Sequence, residues 1–116
     1  MKINIGGFCF QINRTNNVYL TKAHLMLSFQ RALLFAIIPE VRFIFGEVGK
    51  HGKLIIWVYV DRELSEDEKD IYYGAAGEVE GDFRGMSTSK VFFIRDDRDY
   101  SVIPKLEILF YARYEL

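Results

Sequence analysis

Residues 41–68 read VRFIFGEVGKHGKLIIWVYVDRELSEDE, and the fold turns on how this stretch is divided. Two β-rich runs, 41–48 and 53–60, flank the glycine-bearing GKHG at 49–52, which predicts a β-hairpin with the glycines supplying the turn. In 53–60 both alternating sets are apolar, Leu54, Ile56, Val58 and Val60 on one side and Ile55, Trp57 and Tyr59 on the other. Both faces of the second strand are therefore apolar. Beyond it, Ser65 and Glu68 form an S-x-x-E capping box. Ile71, Ala75, Val79 and Phe83 then continue down one face of a helix. Gly74 and Gly77 weaken that helix by about 1 kcal/mol each relative to alanine, or else allow close packing on the sheet.

Working outward, Thr21 can cap a helix over TKAHLMLSFQRALLFAII, because Leu25, Ser28, Phe29, Ala32, Leu33 and Ala36 recur at three- and four-residue spacing. That helix is expected to end before Pro39, which disfavours helical geometry at Ile38. Downstream, KVFFI at 90–94 and KLEILFYARYE at 105–115 read as two strands joined by the polar loop RDDRDYSVIP. The expected class is α+β: an antiparallel sheet of about four strands carrying two helices on one face, in the order α-β-β-α-β-β. A β-like N-terminal extension over 1–20 precedes a core over 21–116, and the length predicts one domain over 1–116. The sheet face away from the helices, with Trp57, Tyr59, Leu109 and Tyr111, is either covered by INIGGFCFQI near the N-terminus or left for a partner. Left open, its Trp and Tyr would suit an interface hot spot.

Composition narrows the function classes. Half the residues are hydrophobic and 27% are charged, as in a globular protein. No apolar run is long enough to span a bilayer, and no secretory signal is visible, so the expectation is a cytoplasmic protein without a membrane partner. The single cysteine, Cys9, suits a reducing compartment and is read as a small buried hydrophobe. His24 and His51 have no carboxylate or cysteine at metal-ligand spacing, and no glycine run makes a phosphate-binding loop. Neither a metal nor a cofactor is expected. Glu78 with Glu80, or Asp96 with Asp97, could be drawn as an acid–base pair, but surface carboxylates are common and the chain is not expected to be an enzyme.

Charge is distributed unevenly. Between Asp61 and Asp82 there are nine acids and two bases, a balance of −7 in a chain whose formal charge is −1. The remainder therefore sums to +6. Such segregation steers cationic partners and repels nucleic acid from that surface. Glu66, Asp67 and Glu68 also favour the helix dipole, whereas Glu78, Glu80 and Asp82 near the helix C-terminus oppose it. They are liabilities unless something else uses them, and they belong either to a partner-binding surface or to a solvated face.

The runs FQRALLFAIIPEVRFIF at 29–45, IIWVYVDRELSEDEKD at 55–70 and PKLEILFYARYE at 104–115 together resemble a family of small bacterial immunity proteins. These are encoded beside polymorphic toxins, including those of contact-dependent growth inhibition systems. The resemblance covers roughly residues 22–116, with Phe35 where that pattern has a glycine or another small residue. It implies a stoichiometric inhibitor of the C-terminal domain of a cognate toxin, many such toxins being nucleases with cationic grooves. The candidate partner-binding residues are Asp61, Glu63, Glu66, Asp67, Asp70, Glu78, Glu80 and Asp82, with Trp57 and Tyr59 as anchors. A self-associating adaptor module, pairing through the aromatic sheet face or an edge strand, is the alternative.

Overall fold

The computed structural model describes residues 22–115 throughout and, before them, the backbones of three short strands. These are β1 (Ile3–Ile5), β2 (Phe8–Asn13) and β3 (Val18–Tyr19), an antiparallel sheet of its own in the order β1-β2-β3. Thr21 as a cap, Cys9 as a buried hydrophobe and the N-terminal run as a cover for the second sheet face lie outside the described residues.

The larger sheet contains β4 (Val41–Val48), β5 (Lys53–Val60), β6 (Thr88–Arg95) and β7 (Ile108–Ala112), in the order β6-β5-β4-β7. β4 and β5 form the expected hairpin, with Phe45 opposite Trp57 and Gly46 opposite Ile56. Its tip is a single 3-10 turn, Lys50–Gly52, closed by the Gly49 amide donating to the Lys53 carbonyl at 2.7 Å. Gly52 is the glycine the turn requires. Its φ is +75°, and a Cβ there would lie 1.9 Å from the Gly85 carbonyl oxygen.

The sheet is mixed, which corrects the antiparallel expectation. β5 and β6 run parallel, Lys53 opposite Thr88 through Val60 opposite Arg95, because the helix α2 (Glu66–Asp82) carries the chain back across the sheet before β6 begins. A hairpin link would have reversed the strand, whereas a helical crossover returns it in the same direction. Nor do β6 and β7 pair with each other. They occupy opposite edges, and residues 96–107 pass from one edge to the other.

The first helix, α1 (Lys22–Ala32), ends earlier than Pro39 requires. A turn over 33–36 places Phe35 at φ +63°, the left-handed position that closes many helices and favours glycine. Both helices cover one sheet face. Leu25 and Phe29 of α1 and Tyr72, Ala76 and Val79 of α2 are buried against Ile44, Leu54, Val58 and Phe110. Burying each large apolar side chain contributes about 1.5–3 kcal/mol, which dominates the weak propensities of the individual helices. The Phe29 and Phe110 rings stack at 3.8 Å between centroids, and Phe110 lies over Gly46.

Part of the second face is closed by the 96–107 segment. Ile103 is buried there with Phe43, Phe45 and Tyr59, while Tyr100 stacks on Phe45. Two irregularities in β4 pairing redirect side chains. At Arg42 the register with β5 shifts, and near Phe110 the register with β7 shifts, so Tyr111 packs toward the helix-side core while Leu109 remains on the second face. The expected grouping of Tyr111 with Trp57 and Tyr59 is therefore corrected.

Candidate functional site

The acidic stretch is organised by the start of α2. Ser65 accepts from the Glu68 amide at 3.2 Å, and the Glu68 carboxylate accepts from the Ser65 amide at 2.8 Å, completing the capping box. Arg62 grips the same carboxylate with two bonds of 2.9 and 2.8 Å. The Arg62 guanidinium, followed by the Ser65 amide, holds Glu68 down at a pKa of about 2. Glu68 is thus a structural acid.

The remaining acids fall into two groups. At the N-terminal end of α2, Asp61 pairs with Arg113 at 2.8 Å, and Glu63 and Glu66 flank Lys69 at 3.6 and 3.8 Å. Asp67 and Asp70 are exposed and make no hydrogen bond or ion pair among the described residues. At the other end, Glu80 accepts from the Ser89 hydroxyl of β6 at 2.8 Å. Asp82 accepts from the Ser28 hydroxyl of α1 at 2.6 Å and lies 3.4 Å from Arg31. Two of the three acids that oppose the dipole are therefore used to tie α2 to its neighbours, while Glu78 stays exposed without such a bond.

Between these groups the outer face of α2 is bare. A Cβ at Gly74, Gly77 or Gly81 would meet nothing within 4 Å. Close packing of Gly74 and Gly77 on the sheet is therefore corrected: both are exposed.

The two aromatic candidates separate. Tyr59 is only 1% exposed, its hydroxyl donating to the Pro104 carbonyl at 2.5 Å, and burial raises its pKa. As an anchor for a partner it is withdrawn beneath the 96–107 segment. Trp57 is half-buried and lines a groove of about 570 Å³ with Ile55, Phe92, Ile94 and Leu106, Glu47 also on its wall.

One polar centre has no counterpart in the sequence reading. Arg42, 5% exposed, donates twice to the Glu115 carboxylate at 2.8 Å and to the carbonyls of Asp96 and Arg98 at 2.7 and 3.0 Å. Its bidentate bond holds Glu115 at a pKa of about 2. An arginine inside VRFIF was the available signal, since a buried guanidinium needs partners for its donors.

Among the described residues no cluster of His, Cys, Asp and Glu could hold a metal, and no buried side-chain polar atom lacks a hydrogen-bond partner. No helix of the described residues is long and apolar enough to cross a membrane. Unpaired surface carboxylates, bare helical backbone and an aromatic groove are the features of a protein that binds with its surface. The model of the MafI2 immunity proteins matches residues 22–115, and the chain belongs to that family. The resemblance carried by 29–45, 55–70 and 104–115 is thereby shown at the level of a bacterial immunity protein, one that neutralises a toxin protein. No curated protein matches the chain.

Proposed function

We propose that this immunity protein neutralises the C-terminal domain of its cognate toxin by stoichiometric binding in the cytoplasm, without turnover, within a contact-dependent growth inhibition or related polymorphic-toxin system. The toxin is a nuclease, and the acidic end of α2 meets its cationic groove or a surface beside it. The observation that carries this reading is the pair Asp67 and Asp70, unpaired and exposed, with Glu63, Glu66 and Asp61 alongside. Charges left free in the monomer are available to steer association and to pair across an interface. Glu78 extends the same field. Glu80 and Asp82 contribute their charge while remaining bonded to Ser89 and Ser28. Trp57, half-buried beside an apolar groove, is the aromatic anchor retained from the sequence.

The test is a titration with the C-terminal domain of the toxin encoded beside this chain, followed by association kinetics at several salt concentrations. A tight one-to-one complex is expected. Replacing Asp67 and Asp70 by lysine should slow association at least ten-fold at low salt and flatten its salt dependence. Unchanged kinetics would remove the acidic-end mechanism, and absence of any complex would remove the assigned toxin.

A further inference from the structure

We propose that two copies of this chain pair edge to edge through β6, antiparallel about a two-fold axis at Phe92, so that their four-stranded sheets become one continuous sheet. Among the described residues β6 pairs only with β5, and its outer side presents a row of unpaired amides and carbonyls. The two edges of the sheet differ. β7 is five residues long and its pairing with β4 is broken by a register shift, both of which blunt an edge. β6 is eight residues long, contains no proline and pairs with β5 without a shift. Phe92, near its middle, is 46% exposed. A long, regular, apolar edge is a template for another strand. Both faces beside it are hollow: Tyr73, Ala76, Ser89 and Val91 line a groove of about 370 Å³ on the helix side, and the groove of Trp57 and Phe92 lies on the other. An added strand sets its alternate side chains over these two grooves.

Register and charge specify a second copy as that strand. Ser89, Val91, Phe93 and Arg95 share the helix face of β6, since they stand beside the residues of β5 buried under the helices, and Lys90, Phe92 and Ile94 share the other. With Phe92 opposite itself, Val91 meets Phe93, Lys90 lays its stem on Ile94, and Arg95 stands opposite Ser89 of the second copy. Ser89 is the hydroxyl that donates to Glu80 at 2.8 Å, and the other oxygen of that carboxylate has no bond among the described residues. Arg95 is exposed, and its side chain makes no hydrogen bond or ion pair among them. Lys69, by contrast, is committed to Glu63 and Glu66. The axis therefore brings a free guanidinium to a half-buried carboxylate, twice. Lys90 and Arg95 never face each other in this register. The neighbouring same-face registers put Arg95 opposite Val91 or Ser87 and lose the pair.

The interface is isologous, so it uses both unguarded edges at once and closes at two copies. The aromatic sheet face, the other route to self-association, is covered in part by the 96–107 segment. This pairing does not depend on the toxin reading.

Sedimentation of the full chain alone, from low to high micromolar concentration, tests the proposal. A reversible monomer–dimer equilibrium is expected. Phe92→Glu places two carboxylates on the axis and should weaken it at least ten-fold. Arg95→Glu and Glu80→Arg should each weaken it, and the double variant, which restores opposite charges across the axis, should recover most of the lost affinity. Within one copy Glu80 lies beside Ser89, at the far end of β6 from Arg95, so that recovery reads contact between copies and separates loss of the interface from loss of the fold. A monomer throughout the range overturns the proposal, as does a dimer indifferent to Phe92→Glu or a double variant no tighter than the single ones. A monomer in which Phe92→Glu abolishes toxin binding also overturns it and identifies a toxin strand as the occupant.

Discussion

The Ser28 hydroxyl of α1 donates to the Asp82 carboxylate at the far end of α2, 54 positions away in the chain, at 2.6 Å. Ser28 is 1% exposed, whereas the Asp82 side chain is partly open to water. The two ends of this bond are therefore unequal. Ser28→Ala removes both the donor and its need for a partner and should cost about 1 kcal/mol. Asp82→Ala strands a buried hydroxyl and should cost more, about 1–3 kcal/mol. Asp82→Asn keeps an acceptor and relieves the opposition to the helix dipole, so it should lie between alanine and wild type. Urea unfolding of the three variants reads the order. Equal stability of Asp82→Ala and wild type would show that the bond contributes nothing.

What was legible in the sequence was local. The capping box joins residues three apart, and both of its bonds are present as the S-x-x-E spacing demands. The hairpin, both helices and the inward stripe of α1 followed equally from short-range periodicity. Ser28 sat on that stripe between Leu25 and Phe29, and its polarity there was the sign that a distant acceptor existed. Strand direction was not legible, because the period-two pattern of β6 is the same in either direction and only the crossover through α2 decides it. The cover over Tyr59 was hidden for a similar reason: Ile103 lies in a short apolar break in a largely polar loop, and nothing local says that it crosses the sheet. From the sequence, Phe35 merely stands in place of a small residue. Its left-handed φ supplies the physical reason that a small residue suits the position. At the candidate site, Asp67, Asp70 and Glu78 could be read as surface acids from composition, but the commitment of Glu80 and Asp82 to serines on other elements could not.

Arg42 holds the C-terminal Glu115 and the start of the 96–107 segment to β4, so its removal should affect both. Arg42→Ala leaves the Asp96 and Arg98 carbonyls without their donor and Glu115 with Arg113 alone, and should destabilise the fold by about 1–3 kcal/mol. Faster proteolysis within 96–107 should accompany it, since the segment loses two of its anchors. The pair also predicts a pH dependence. Glu115 is held at about 2 in the folded protein, below its ordinary 4.5. A depressed carboxylate contributes stability above the unfolded pKa and loses it as the pH falls toward the folded value. Stability should therefore decline from about pH 4.5 to about 2. Glu68 and Asp96, held at about 2 by Arg62 and Arg98, decline in the same window. Glu115→Gln should accordingly flatten the acid limb of a denaturation series without abolishing it. An unaltered limb would assign the acid sensitivity to the other two carboxylates.

Gly46 and Gly74 should respond to alanine with opposite signs, although both lie inside regular elements. At Gly46 a Cβ would fall 2.4 Å from the Phe110 ring, which is itself fixed by stacking on Phe29. The ring cannot retreat without opening the α1 side of the core, so Gly46→Ala should cost about 1–3 kcal/mol. At Gly74 a Cβ meets nothing, and the helix gains the propensity that glycine forgoes. Gly74→Ala should therefore stabilise by about 0.4–1 kcal/mol, chiefly by restricting the unfolded chain. Thermal denaturation of the two single variants gives both signs. A destabilising Gly74→Ala would mean that the outer face of α2 is already covered in solution.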